Sequence, residues 1–249
     1  LKVLVLGGTT EGSAIARALA GDARFQPVLS LAGRTRAPVL PAVAGRRGGF
    51  GGVDGLAGYL RNEGVGALVD ATHPFARQMH RHAAEAAVLA DVPRVAVWRP
   101  AWVAGEGDRW LGVPSMEAAV AALGDTPRRV FLTVGQQELG PFRAAPWHDY
   151  LVRSVEAPDP ADLPSGVRCM AARGPFLEAD EVRLLRDERI EVVVTKNSGG
   201  GATEAKLAAA RVLGIPVVMV ARPAMPEPPL VPDAAGALDW LHQLMLRGV

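Results

Sequence analysis

Lys2-Val3-Leu4-Val5-Leu6-Gly7-Gly8-Thr9-Thr10-Glu11-Gly12 is the stretch whose reading decides the fold. A short apolar run with no polar interruption passes straight into glycines and hydroxyls, and these open a helical pattern over Thr10–Ala20. A strand that is apolar at consecutive positions is one covered on both faces, as in a parallel sheet. The same rhythm continues along the chain. Further strands are predicted at Pro27–Ser30, Arg46–Phe50, Ala67–Ala71, Arg94–Trp98, Arg129–Val134, Tyr150–Val155, Arg168–Ala171, Glu191–Thr195 and Pro216–Val220. Helices are predicted between them, among others at Phe75–Ala90, Glu178–Arg186 and Thr203–Leu213. A last helix starts from an Asp233 cap and aligns Leu238, Leu241 and Met245 on one stripe. Strand, helix and strand in alternation mean an α/β protein.

The two halves resemble each other. Ala84–Ala101 laid over Leu207–Ala224 without a gap is identical at 8 of 18 positions, including the exits Arg99-Pro100-Ala101 and Arg222-Pro223-Ala224. The same offset matches Thr72 with Thr195 and His73 with Lys196, and a shift of four brings Val3, Gly8 and Glu11 onto Val130, Gly135 and Glu138. Apolar matches alone would follow from any two Ala- and Val-rich helix–strand units; the repeated Arg-Pro-Ala is harder to obtain that way. The expected architecture is two Rossmann-like domains with mainly parallel sheets, residues 1–110 and 111–249, with the active site in the cleft between them. Their joint is expected between Trp102 and Arg128. The five prolines of Arg222–Pro232 read as a stiff, exposed connection.

Bulk composition narrows the classes. A chain of 249 residues, 49% apolar and 21% charged, buries a globular core. A net charge of +1 draws it neither to nucleic acid nor to anionic lipid. No stretch is apolar for the ~20 residues of a membrane span, and no signal-peptide pattern opens the chain, so the expected location is the cytoplasm. Cys169 is the single cysteine, and His80 and His82 stand two apart on a helix, off a common face; no metal site is expected. With 24 Arg against 3 Lys, one arginine says little, and Lys2, Lys196 and Lys206 gain interest by contrast.

In an open parallel sheet, ligands bind beyond the C-terminal ends of the strands. At the first end, Gly7, Gly8, Thr9, Thr10, Glu11 and Gly12 lead into a helix N-terminus, which offers free N–H groups to a phosphate. The spacing is neither G-x-G-x-x-G nor a P-loop, and a tight turn without ligand is the bland alternative. At the second, Arg34, Thr35 and Arg36 follow Ser30-Leu31-Ala32-Gly33 with no acid nearby. Arginine at this point accommodates a ribose 2′-phosphate, so the pair favours NADPH over NADH, against the alternative of a solvated surface. At the third, Asp70, Thr72 and His73 leave a buried strand, where the nicotinamide half of a coenzyme lies; a helix-capping histidine is the plainer reading. At the fourth, Lys196, Asn197, Ser198, Gly199 and Gly200 form a second anion-binding turn, or else a solvated loop.

At these strand ends the chain resembles the precorrin-6A reductase family, through Leu6–Gly12, Asp70-Ala71-Thr72-His73-Pro74-Phe75-Ala76 and Thr195–Gly200, with weaker echoes at Gly48-Gly49-Phe50. The resemblance runs essentially the whole length. It implies NADPH-dependent reduction of a macrocycle double bond in precorrin-6A, giving precorrin-6B, in cobalamin biosynthesis. One domain would take the coenzyme and the other the tetrapyrrole, and brief contact with neighbouring pathway enzymes goes with that role. A substrate rich in acetate and propionate groups needs several cations; Lys196, Arg77, Arg99, Arg173 and Arg222 are the candidates. A protonated His73, Asp70 or water would supply the proton. Other functions fit the same architecture: a reductase of a smaller anionic substrate, a non-catalytic NADP sensor, or a nucleotide-sugar transferase. Fold alone does not choose among them.

Overall fold

The computed structural model describes residues 1–33, 43–164 and 166–248. The expected site residues Arg34, Thr35 and Arg36 lie outside them. The chain divides into two units: Leu1–Pro100 with Pro223–Val249, and Ala101–Arg222.

The first unit begins with β1 (Lys2–Leu6), α1 (Thr10–Ala20), β2 (Gln26–Leu31), β3 (Ala44–Arg47), α2 (Gly52–Asn62), β4 (Ala67–Asp70), α3 (Arg77–Ala90) and β5 (Arg94–Val97). The second holds β6 (Trp110–Val113), α4 (Met116–Leu123), β7 (Arg129–Thr133), β8 (Asp149–Ser154), β9 (Arg168–Ala171), α5 (Glu178–Asp187), β10 (Val192–Lys196), α6 (Ala205–Leu213) and β11 (Val217–Val220). The chain then returns to the first unit as β12 (Leu230–Val231) and α7 (Ala234–Leu246).

Among the described residues the strands make two six-stranded sheets, in the orders β3-β2-β1-β4-β5-β12 and β9-β8-β7-β10-β11-β6. Neighbouring strands pair in parallel throughout. The protein therefore has the expected α/β class, with two Rossmann-like sheets. β1 and β7 hold the same position in their sheets, as do β4 and β10, and β5 and β11, the pairs that the internal repeat aligns.

Side-chain alternation explains the layering. Val3 and Val5 of β1 pack with Ile15, Ala16 and Leu19 of α1 and with Ala237 and Leu241 of α7. Leu4 and Leu6 point the other way, onto Leu56 and Leu60 of α2 and Ala83, Ala86 and Ala87 of α3. In the second unit Phe131 and Val193 face Leu185 of α5 and Leu207 of α6.

The sequence reading found ten strands and missed β6 and β12, the short edge strands that complete each sheet. These two also correct the expected division at 110/111. β12 pairs with β5 through Leu230↔Ala96 and Val231↔Val97, and α7 covers β1, so the chain's end belongs with its beginning. Arg222–Pro232, expected to be a plain connection, carries β12 within it. Arg94, 7% exposed, anchors this return by donating from Nη2 to the carbonyls of Glu227 (2.6 Å) and Pro228 (3.2 Å).

Leu241 is 0% exposed. Leu241→Ala is expected to cost about 2–5 kcal/mol, and the loss belongs to the first unit. Hydrogen exchange should show β1 and β5 amides losing protection while β7 and β10 keep theirs; equal loss in both would contradict this assignment.

Candidate functional site

The first strand end is built by one hydroxyl. Thr9 is the N-cap of α1: its Oγ1 accepts from the Gly12 N–H (3.1 Å) and donates to the Ala71 carbonyl (2.7 Å). It thereby caps the helix and ties the β1 exit to the β4 exit. Gly7 donates its N–H to the Ser30 carbonyl (2.9 Å), closing the turn against β2. Gly8 has φ +109, and a side chain there would meet nothing within 4 Å; the turn needs glycine for its backbone, and the space beside it is open. At Gly12 a Cβ would come to 3.0 Å from the Gly7 Cα, so the helix start and the turn are pressed together. Thr10 and Glu11 complete the first turn, with the Thr10 hydroxyl donating to Glu11 Oε2 (3.1 Å).

Arg99, expected among the tetrapyrrole cations, contacts Glu11: Nη1 lies 2.8 Å from Oε2, with both side chains mostly buried. Burial works against the Glu11 carboxylate, but the charge and hydrogen bond of Arg99 outweigh it and hold its carboxyl below the usual range. The guanidinium thus offsets the one acid at this helix N-terminus. Thr9, Glu11, Ala71, Thr72, Pro74, Val97 and Arg99 line a single small depression.

Behind it lies a buried polar cluster. Asp70, at the end of β4, is 0% exposed. Its Oδ1 accepts from the Thr72 N–H (3.1 Å) and hydroxyl (2.7 Å), and its Oδ2 sits 2.6 Å from His80 Nδ1. Desolvation would raise its pKa; the bond and charge of His80 and the two Thr72 donors prevail and hold it below the ordinary carboxylate range. His80 Nε2 is 3.2 Å from the His73 carbonyl. His73 itself is half-buried, and its Nδ1 accepts the Phe75 N–H (3.2 Å). Arg77, the first residue of α3, is exposed.

The matching end of the second unit has different chemistry. Gly199 and Gly200 turn the chain at φ +64 and +79. Lys196 Nζ stands 3.4 Å from Glu138 Oε1, a loose contact at a carboxylate that is 37% exposed. The Asn197 side chain grips the backbone of Trp102, accepting its N–H and donating to its carbonyl, both at 2.9 Å. Arg222 donates from Nε to the Asn197 carbonyl (2.7 Å), and the Trp102 indole N–H donates to the Gly200 carbonyl (3.2 Å). Ser198 is buried; Arg173 is exposed just beyond β9. The expected substrate cations therefore divide between the units: Arg77 and Arg99 in the first, Lys196, Arg173 and Arg222 in the second.

Sequence reasoning weighed His80 only as a metal ligand and Lys206 only as a rare lysine, and gave neither a place in a site. Both stand on the inward stripe of a helix, His80 with Ala83, Ala86 and Ala87, Lys206 with Leu207, Ala209 and Ala210. A lone polar residue in a core stripe was the available signal. Lys206, 3% exposed, donates to the Thr203 carbonyl (2.5 Å) behind the Gly199–Gly201 turn, with its ammonium 4.7 Å from the centre of the Trp102 ring.

Burial, helped by Arg153 and opposed by Glu181 and Glu204, pushes the Lys206 amine down to about 7. The unfolded chain keeps this proton up to the ordinary value of 10.5. Stability at this residue is thus full above that value and is lost as pH falls towards 7. Urea midpoints at about pH 7.5 and about pH 9 should show a gain on the order of 1–2 kcal/mol. Lys206→Met should flatten it; an unchanged slope would sink this account of the amine.

Residues 2–242 match the family described as precorrin-6x reductase CbiJ/CobK. The chain is 50% identical over 251 residues to a precorrin-6A reductase of Rhodobacter capsulatus, covering 100% of this chain and 99% of that protein. It is 44% identical over 243 residues to a precorrin-6A reductase of Mycobacterium tuberculosis, covering 97% and 95%. A cobalt-precorrin-6A reductase of Priestia megaterium is 30% identical over 181 residues, covering 68% and 69%. A solved structure titled CobK precorrin-6A reductase superposes with a TM-score of 0.93 at 48% identity, covering 98% of this chain and 96% of that one.

Proposed function

This chain belongs to the precorrin-6x reductase CbiJ/CobK family, and on that premise we propose that NADPH is its hydride donor and that the first unit binds it. The protein is an oxidoreductase of cobalamin biosynthesis that reduces precorrin-6A. A reductase of this family draws on a reduced nicotinamide, which supplies hydride to one carbon of the substrate's double bond. The observation that carries the reading is the Thr9 hydroxyl, which joins the glycine turn to the Asp70–His73 strand end and makes one binding surface of the two.

The residues fit a dinucleotide. The open space at Gly8 admits a pyrophosphate to the backbone, and the first turn of α1 offers N–H groups to it. Arg99, already opposite Glu11, keeps the local charge favourable to an anion. Arg34, Thr35 and Arg36 follow β2, where a 2′-phosphate is recognised, which favours NADPH over NADH. Thr72 and His73 lie at the β4 exit, the nicotinamide end of such a site.

Reduction also needs a proton at the neighbouring carbon. Asp70 has both oxygens engaged as acceptors and no exposure, so its role is to position Thr72 and His80 rather than to donate. His73 accepts a backbone N–H at Nδ1, and only an unprotonated nitrogen can do so; its ring is then neutral, with the proton on Nε2. That N–H orients a polar group of the reactants, and the proton reaches carbon from water. Lys196, Arg173 and Arg222, with Asn197, Ser198, Gly199 and Gly200, pair with the carboxylates of the tetrapyrrole in the second unit. Lys196 exchanges its loose contact with Glu138 for one of them.

Anaerobic absorbance spectra with precorrin-6A and either NADPH or NADH test the reading. NADPH should be oxidised with a matching change in the macrocycle spectrum. Arg34→Ala with Arg36→Ala should raise KM for NADPH about ten- to a hundredfold, the worth of a lost charge-assisted contact, and leave NADH nearly unaffected. Coenzyme binding with no change in either spectrum would turn the reading towards a smaller substrate or a sensor.

A further inference from the structure

The turn that follows β10 is held by three donors. The Trp102 indole N–H donates to the Gly200 carbonyl (3.2 Å), the Phe176 N–H to the Ala202 carbonyl (3.3 Å), and the Lys206 amine to the Thr203 carbonyl (2.5 Å). They come from three parts of the second unit: the segment before β6, the loop after β9 and the first turn of α6. The loop after β9 is pressed against the turn, since a Cβ at Gly174 would lie 2.6 Å from the Ala202 oxygen. That loop is itself anchored: the Phe176 ring centre is 3.8 Å from the Arg153 guanidinium, which pairs with Glu181 at 2.6 Å. Lys206 is the unusual member of the three. It is 3% exposed and stands with Leu207, Ala209 and Ala210 on the buried face of α6. Glu181 and Glu204 act on it through charge, but its hydrogen bond goes to a backbone carbonyl. An amine buried against one neutral acceptor costs more than an apolar side chain in its place, so what it adds is the bond to the turn. The amine has an N–H to give with or without its extra proton, and the bond does not depend on its charge.

We propose that Lys206 is a positioning residue for substrate binding: by holding the Thr203 carbonyl it fixes the turn 199–203 in the shape that receives a carboxylate of the tetrapyrrole. Gly199 and Gly200 stand at φ +64 and +79, and glycine has the most conformational freedom to lose. A loose turn of this kind is ordered only when its ligand arrives, and that ordering is subtracted from affinity. Carbonyls held at Gly200, Ala202 and Thr203 move the ordering into folding, before any ligand is present. Space for the ligand is left on the turn itself: Gly201 is exposed, and a Cβ there would meet nothing within 4 Å. A turn that binds carboxylates and takes no part in hydride transfer governs KM rather than kcat. The inference rests on the reading of Lys196, Gly199 and Gly200 as part of the tetrapyrrole site.

Lys206→Met tests it, filling similar space without a donor. The dissociation constant for precorrin-6A, read anaerobically from its absorbance spectrum with no NADPH present, should rise about three- to tenfold. KM for precorrin-6A should rise with it, while kcat and the dissociation constant for NADPH stay within about twofold. Trp102→Phe keeps a ring but loses the donor to Gly200, and should raise the same constant. A readout without substrate comes from nitrogen-labelled glycine: in Lys206→Met the amide signals of Gly199, Gly200 and Gly201 should shift and broaden, and those of Gly7, Gly8 and Gly12 should stay in place. An unchanged constant for precorrin-6A in Lys206→Met, or in Trp102→Phe should Lys206→Met not fold, would overturn the proposal. So would an equal loss of affinity for precorrin-6A and NADPH, the mark of general disruption. Lys196→Met is measured beside them. If that variant keeps its affinity for precorrin-6A, the reading of the turn fails and the proposal with it. If it loses affinity while Lys206→Met does not, only the role of Lys206 fails.

Discussion

The central strand of each sheet is buried on both faces, and that constraint pushes nearly all polar chemistry to the strand ends. Val3, Leu4, Val5 and Leu6 of β1 and Val130, Phe131 and Leu132 of β7 are at most 2% exposed. A polar side chain within such a strand would have to leave water without a partner, at a cost of roughly 1–3 kcal/mol or more. What remains available is the point where a parallel strand stops and its helix begins. There the backbone N–H groups of the helix start are unpaired within the helix, and glycines let the chain turn. Both units carry their glycine turns, hydroxyls and cations at that level because the sheet admits them nowhere else.

Several polar groups that are buried follow the second half of the same rule and find a partner inside the fold. Asp70 and His80 form one such set. Arg153 and Glu181 form another, 2.6 Å apart, with the guanidinium stacked 3.8 Å from the Phe176 ring centre. Lys206 forms a third with the Thr203 carbonyl. The internal order of the strand-end loops comes from polar side chains that reach in from helices, and apolar packing supplies the layer beneath.

The two units use one topology for two kinds of chemistry. Gly8 and Gly135 both turn the chain at positive φ after the central strand, at +109 and +96. Three residues beyond each stands a glutamate, and each glutamate meets a cation: Glu11 meets Arg99 at 2.8 Å, and Glu138 meets Lys196 at 3.4 Å. The first pair is tight and mostly buried, so it belongs to the architecture of the turn. The second is looser and more exposed. At the next strand end His73 of one unit corresponds to Lys196 of the other, an imidazole against an amine.

Much of this was legible in residue order. Strand and helix type, the glycine turn after β1, the cap at Asp233, and the resemblance carried by three short motifs are local properties. They depend on neighbours within a few residues, through backbone sterics, side-chain periodicity and capping bonds. What only the tertiary structure decided is which distant groups meet. Arg99 and Glu11 are separated by 88 residues, Trp102 and Asn197 by 95, and Arg94 and the Glu227 carbonyl by 133. β12 joins the first sheet although it follows the whole of the second unit. Even His80, only ten residues from Asp70, was hidden, because an imidazole in an alanine stripe shows its purpose only once a carboxylate is folded against it. Periodicity says which side chains turn inward, and burial then demands partners, but the identity of a partner is set by where the chain comes back.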